Sequence, residues 1–185
     1  MPRLVAFLRA INVGGHTVTM GELCRLFSSA GLKDVETFIA SGNVLFSSRV
    51  TRTATLERSL GKALESSLGY AVAVFIRNEL ELVDIHRYRP FPEPKMQRAR
   101  TVHVGFVAQP PPASTIKAIK GLTTPIDDFD VRGREVYWLC RKGFSESLVP
   151  AGRLERVLGA QATFRSLKTI HRLVTKYRLT TADGA

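Results

Sequence analysis

The chain has 185 residues, 44% of them hydrophobic and 23% charged, a composition that excludes disorder as the main state and leaves room for one domain or two small ones. Lys and Arg number 27 against 16 Asp and Glu, and the net charge of +11 favours acidic partners such as nucleic acid, phosphorylated metabolites or anionic surfaces. No stretch approaches the ~20 apolar residues of a membrane span, and Cys24 and Cys140 are too few for a disulfide framework or a cysteine zinc site, so the expectation is a cytoplasmic protein with no membrane partner and two buried thiols.

Leu4 to Ile11 reads as a first strand, interrupted by Arg9 and therefore not as a signal peptide. Thr19-Met20-Gly21-Glu22 has capping-box spacing, and Met20, Leu23, Phe27 and Ala30 with Cys24 and Leu26 then form one apolar helical face that Gly31 ends. Val35 to Ile39 and Val44 to Ser47 are strands on either side of a turn at Ser41-Gly42-Asn43. A second helix, capped by Thr51 or Thr53, places Leu56, Leu60, Leu64 and Leu68 on one face and exits at Gly69; Val72 to Arg77 is the next strand.

Asn78 caps a short helix through Ile85, and residues 87–100, with three prolines, form the expected linker. The pattern then returns. Strands are expected at Thr101 to Ala108, Asp128 to Val131, Glu135 to Arg141 and Ala162 to Phe164, and helices at Ser114 to Ile119, Arg153 to Leu158 and Leu167 to Tyr177. The last residues, 179–185, read as a frayed tail. Strand, helix, strand, strand, helix, strand, twice over, predicts an α+β protein: two ferredoxin-like (βαββαβ) repeats, 1–86 and 101–178, with largely antiparallel sheets and helices packed on one face.

That topology brings the exit of the first strand and the turn between the second and third strands to one edge, with Gly69-Tyr70 entering from the same side. Gly14 and Gly15 permit close backbone approach and positive φ, and the helix after Thr19 turns its free N–H groups to that edge, the physics of an anion pocket. The bland reading is equally open: Gly14-Gly15 makes a tight turn, and Asn12 and Asn43 bond loop backbone. No Gly-Lys-Ser/Thr loop and no GxGxxG pattern is present, so no nucleotide cofactor is implied.

The stretch from Leu8 to Gly15, LRAINVGG, and the stretch from Thr37 to Phe46, TFIASGNVLF, resemble the bacterial domain-of-unknown-function 1697 family, whose pattern runs LRGINVGG and then TYIxSGNVxF. Ala162 to Thr169, ATFRSLKT, resembles that family's TxRNxxT stretch, with Ser166 where Asn is usual; Ala10 for Gly and Phe38 for Tyr are further departures. The resemblance implies a duplicated ferredoxin-like fold, no established activity, and a grouping of Thr163, Arg165 and Thr169 with the first block. The resulting candidate ligand site is Arg9, Asn12, Gly14, Gly15, Ser41, Gly42, Asn43, Thr163, Arg165 and Thr169, at an edge between the repeats, with the two arginines pairing an anion or, alternatively, pairing internal carboxylates or capping carbonyls between the repeats.

His16, His86, His103 and His171 have no metal-ligand spacing, and Asp127, Asp128 and Asp130 read as solvated or capping residues. Lys168, Arg172 and Lys176 recur every four residues on the last helix, a stripe that either tracks phosphates or is a solvated face. Phe7 and Phe46 invite comparison with RNA-recognition motifs, which stack bases on exposed aromatics, but the KGFGFVxF signature is missing. The first functional expectation is a binding module for a phosphate-bearing small molecule or a nucleic-acid backbone. The alternatives are an enzyme using the Arg9, Asn12, Asn43 and Arg165 cluster, and a structural protein that dimerises through edge strands.

Overall fold

The computed structural model describes residues 1–12, 14–39, 42–50 and 52–179. The fold is mixed α+β and divides into two compact units, Met1–Val83 with Arg178–Ala185, and Asp84–Tyr177. The strands of the first unit are β1 (Arg3–Arg9), β2 (Lys33–Thr37), β3 (Asn43–Ser47) and β4 (Ala73–Asn78), joined antiparallel in the order β2-β3-β1-β4. Those of the second are β5 (Thr101–Phe106), β6 (Asp127–Arg132), β7 (Glu135–Cys140) and β8 (Thr163–Ser166), antiparallel in the order β6-β7-β5-β8.

In the first unit the helices are α1 (Met20–Ser29) and α2 (Thr53–Leu68), with α3 (Glu79–Arg87) following β4. Leu4, Ala6 and Leu8 of β1, Val44 and Phe46 of β3, and Val74 and Ile76 of β4 form one sheet face, packed with Leu23 and Phe27 of α1 and Leu56, Leu60 and Leu64 of α2. The intervening Val5, Phe7, Leu45 and Phe75 are buried too. This two-sided burial is why β1 reads as a continuous apolar run rather than an alternating one. It also closes the comparison with base-stacking sheets, because Phe7 and Phe46 are both wholly buried and have no face to offer a base.

Thr19 caps α1, its hydroxyl accepting from the Glu22 amide at 3.1 Å. The apolar stripe of α1 begins one turn later than expected: Met20 is 45% exposed and Cys24 only half-buried. Thr53 is the first residue inside α2 rather than its cap; Arg52 occupies the cap position with no side-chain bond, and Thr51 lies outside the described residues. Gly69 ends α2 in the left-handed conformation, φ 78°.

A buried pair sits where α2 meets the edge of the first sheet. Arg77 of β4 has no exposed surface, and its Nη1 donates to the Ile76 carbonyl at 2.9 Å and lies 4.0 Å from Glu57 Oε1. The same carboxylate oxygen accepts the Ile76 amide at 2.7 Å. Glu57 therefore blocks a ladder position on edge strand β4 while compensating a buried guanidinium, two roles that offset its own desolvation.

The second unit holds α4 (Glu93–Gln97), α5 (Ala113–Lys120), α6 (Ala151–Leu158) and α7 (Leu167–Lys176). The segment expected as an irregular linker contains α4, which Pro92 opens from the cap position. Prolines are tolerated in a first helical turn because its N–H groups lack partners anyway. The core is aromatic, with Trp138 against Phe129, Phe144 and Phe164 at centroid distances of 5.0, 4.9 and 5.7 Å. Ile119 of α5, Leu154 of α6, Val149 and Cys140 complete it. Burial, and secondarily Asp127, push the Cys140 thiol up to about 12, so it packs as a neutral apolar group.

Asp127 is neither solvated nor a simple cap. It is wholly buried, and its two oxygens accept from Trp138 Nε1 (3.0 Å), Ser147 Oγ (2.7 Å), Thr124 Oγ1 (2.8 Å) and the Leu148 amide (3.1 Å). Burial alone would raise its pKa; those four donors outweigh it and hold the carboxyl below its ordinary value. Asp128 pairs with Lys95 (2.7 Å) and Arg141 (2.5 Å), and Asp130 accepts from Tyr88 (2.6 Å) and pairs with Lys120 (2.8 Å). The acidic cluster is a set of anchors for neighbouring segments.

Candidate functional site

The first strand ends at Arg9, half-buried, and the chain turns at once because Ala10 adopts φ 62°, a left-handed conformation that costs an alanine about 1–2 kcal/mol. The turn is held from three sides. The Ile11 carbonyl accepts Tyr70 Oη at 2.7 Å, Asn12 Oδ1 accepts the Val18 amide at 2.9 Å, and the His16 ring stacks on Tyr70 at 4.3 Å. Burial, then the Glu22 carboxylate, raise the Tyr70 pKa, so the phenol stays protonated and keeps donating.

Between these anchors Gly14 and Gly15 have φ 62° and 85° and are exposed. A Cβ at Gly15 would meet nothing within 4 Å, so glycine is required there by the backbone conformation and not by crowding. Val18 is buried and delivers the chain to Thr19 and the start of α1.

The β2–β3 connection arrives at the same end of the sheet. The Gly42 carbonyl accepts the Leu8 amide at 2.8 Å, and Gly42 has φ 110°. Asn43 is buried, donating through Nδ2 to the Phe38 carbonyl at 3.1 Å while its own carbonyl accepts the Phe38 amide at 3.0 Å. Ile39 is 45% exposed at φ 65°, an outlier for a β-branched residue. Thus Arg9, Asn12, Gly14, Gly15, Gly42 and Asn43 gather at one sheet end, as the topology required, and Ser41 lies outside the described residues. Both asparagines bond loop backbone. They shape the edge.

The remaining candidates belong to the second unit and form their own group at the β8–α7 junction. Thr163 is buried, and its hydroxyl and the Phe164 carbonyl accept Arg165 Nη1 at 3.0 and 2.8 Å. Burial pulls the Arg165 guanidinium down to about 10, still charged at neutral pH. Ser166 caps α7, its Oγ accepting the Thr169 amide at 3.2 Å and lying 2.8 Å from Thr169 Oγ1. A hydroxyl therefore performs the capping that an Asn would perform at this position.

The sequence reading passed over Arg77. It precedes the cap Asn78, whose Oδ1 accepts the Glu81 amide at 2.9 Å while Glu81 returns the bond at 2.8 Å. Arg77 stands opposite Val5 as Arg165 stands opposite Val104, and each donates to the carbonyl before it. Arg-Asn and Arg-Ser, each closing a strand and opening a helix, were visible signals of this correspondence.

Two clefts in the first unit, about 250 Å³ between α1 and α2 and about 440 Å³ beside Lys33, Ser48 and Arg49, include none of the loop residues. Among the described residues no group of three or more His, Cys, Asp or Glu could hold a metal ion, and no helix is long and apolar enough to cross a membrane.

No curated protein matches the chain. Among solved structures it is similar to one titled as the conserved bacterial protein SP0830 from Streptococcus pneumoniae, at TM-score 0.70 and 21% identity, covering 94% of this chain and 97% of that one. At that identity the likeness speaks to fold alone. The model of a family described as a protein of unknown function matches residues 1–137, which takes in the whole glycine edge and stops within β7, short of Thr163, Arg165 and Thr169. The chain belongs to that family, DUF1697.

Proposed function

We propose that this protein binds a small phosphate-bearing anion at the Arg9–Gly15 and Gly42 edge of its first unit. Supporting this is one observation above the rest: five residues in left-handed conformation, Ala10, Gly14, Gly15, Ile39 and Gly42, collect at the end of β1 beside the start of α1. Two of them are not glycine, and such strain concentrates where backbone geometry is used for something. Gly14 and Gly15 are exposed and their amides make no hydrogen bond among the described residues, while Thr19 already occupies the Glu22 amide. Binding falls to the loop amides and Arg9, with the α1 dipole adding a favourable field.

The proposal extends to the architecture. The two strand orders correspond position by position, and we read them as duplicated ferredoxin-like repeats of a cytoplasmic bacterial protein. A titration of the ¹⁵N-labelled chain with inorganic phosphate and with phosphorylated sugars tests the binding. Saturable shifts centred on the Gly14, Gly15 and Gly42 amides are expected, weakened several-fold in Arg9→Ala. If millimolar phosphate and sugar phosphates leave those amides unmoved, the reading fails.

A further inference from the structure

The charge excess is not shared between the units. The first holds 10 Lys and Arg against 8 Asp and Glu, a net +2; the second holds 17 against 8, a net +9. The second unit's acids are largely committed. Asp127, Asp128 and Asp130 are engaged as described, Glu155 Oε1 accepts the Ala162 amide at 2.9 Å, and Glu146 Oε2 accepts the Gly143 amide at 2.8 Å.

Helix α7 carries this excess in ordered form. Leu167, Ile170, Leu173 and Val174 are buried, and Lys168, Arg172 and Lys176 are exposed on a helix with no carboxylate. At four-residue spacing they rise about 6 Å per step and stay on one side. Lys168 and Arg172 make no hydrogen bond or ion pair among the described residues. Lys176 is exposed, with Nζ 4.8 Å from the Tyr177 ring centroid.

We propose that α7 is a nucleic-acid backbone contact, its three cations engaging successive phosphates without reading bases. A membrane surface fits less well, because an interfacial helix inserts an apolar face and that of α7 is already in the core. A small phosphate ligand fits less well because the stripe is convex and linear. Neutralising three phosphates predicts a slope of log K against log salt of about −2 to −2.7, a loss of roughly 15- to 40-fold between 50 and 200 mM.

The test uses the full chain and a fluorescein-labelled 20-nucleotide strand, single and duplexed, followed by anisotropy across that salt range. Lys168→Ala/Arg172→Ala/Lys176→Ala should bind at least tenfold more weakly at 50 mM and lose about two units of slope, with Trp138 emission unchanged to show a folded unit. Removing equal charge from the first unit, by Arg25→Ala/Arg58→Ala/Lys62→Ala, should leave the slope within half a unit. No salt-dependent binding by the parent chain, equal losses in the two triple variants, or binding to phosphatidylserine vesicles in place of both oligonucleotides would each overturn the assignment. Arg9→Ala should leave this binding unchanged, so the outcome is independent of the phosphate site.

Discussion

Ala6 of β1 and Gly105 of β5 stand at matching register, Ala6 opposite Ile76 and Val44, Gly105 opposite Phe164 and Val136. One step along, Leu4 is opposite the cap Asn78, and His103 is opposite the cap Ser166. The same backbone positions thus carry an aliphatic layer in the first unit and an aromatic layer with a histidine in the second. The comparison teaches that strand order is maintained by which faces are apolar, while the content of each face is free to specialise. The first unit puts its strain at a glycine edge; the second puts its charge on α7 and anchors its edge strand β6 with Asp127.

Removing that anchor has the largest expected effect. Asp127→Ala deletes the acceptor for the indole, two hydroxyls and a backbone amide, and leaves buried donors unpaired, a loss of roughly 3–5 kcal/mol. Trp138 is the one tryptophan of the chain and lies in the second unit, so its emission during urea unfolding reads this loss directly. A change below about 1 kcal/mol would mean that β6 is held by its ladder with β7 alone.

Gly105→Ala tests the interchange of layers. An added Cβ would fall against the Phe164 ring edge, so the ring or the strand must shift, at about 1–3 kcal/mol. Pairing it with Phe164→Ile recreates the Ala6–Ile76 arrangement of the first unit and should recover part of the loss. If the double variant is less stable than the sum of the two single changes, the two positions are not equivalent in packing.

The histidine gives the second unit a pH dependence that Leu4 denies the first. His103 packs 4.1 Å from Phe144, and burial lowers its pKa from 6.5 to about 4. Between those values the unfolded chain takes up the proton and the folded chain does not. Stability is therefore complete above about pH 6.5 and falls as pH drops toward 4, by at most ~1.4 kcal/mol per pH unit for this one group. His103→Phe should flatten that limb of the stability curve; an unaltered slope would assign the dependence to other groups.

Much of this was legible along the chain. The element order followed from caps and apolar periods, and the meeting of the β1 exit with the β2–β3 turn followed from that order. The structure supplies what spacing could not. Arg77 and Glu57 lie in different elements, and arginine's usual exposure hid a buried pair. Asp127 reads in sequence as a solvated or capping residue because its donors come from as far as Leu148. The asparagines lie in the two loops at the end of the sheet, where their partners, Val18 and Phe38, make them supports for those loops.

The smallest predicted effect bears on the glycine edge itself. Ala10 occupies a position where its family pattern has Gly, and its φ of 62° explains that preference: the turn after Arg9 must be left-handed whatever residue stands there. Ala10→Gly relieves the strain in the folded chain and adds freedom to the unfolded one, so the net gain should be only about 0.5–1 kcal/mol. At the matching register of the second unit stands Gln109, exposed and without a positive φ, so Gln109→Gly only adds freedom to the unfolded chain and should destabilise instead. Urea unfolding of both variants gives opposite signs if the left-handed strain at Ala10 has no counterpart at the matching position of the second unit. A loss in Ala10→Gly would mean that the alanine methyl contributes packing worth more than its backbone costs, and the strain argument for the phosphate site would lose one of its two non-glycine residues.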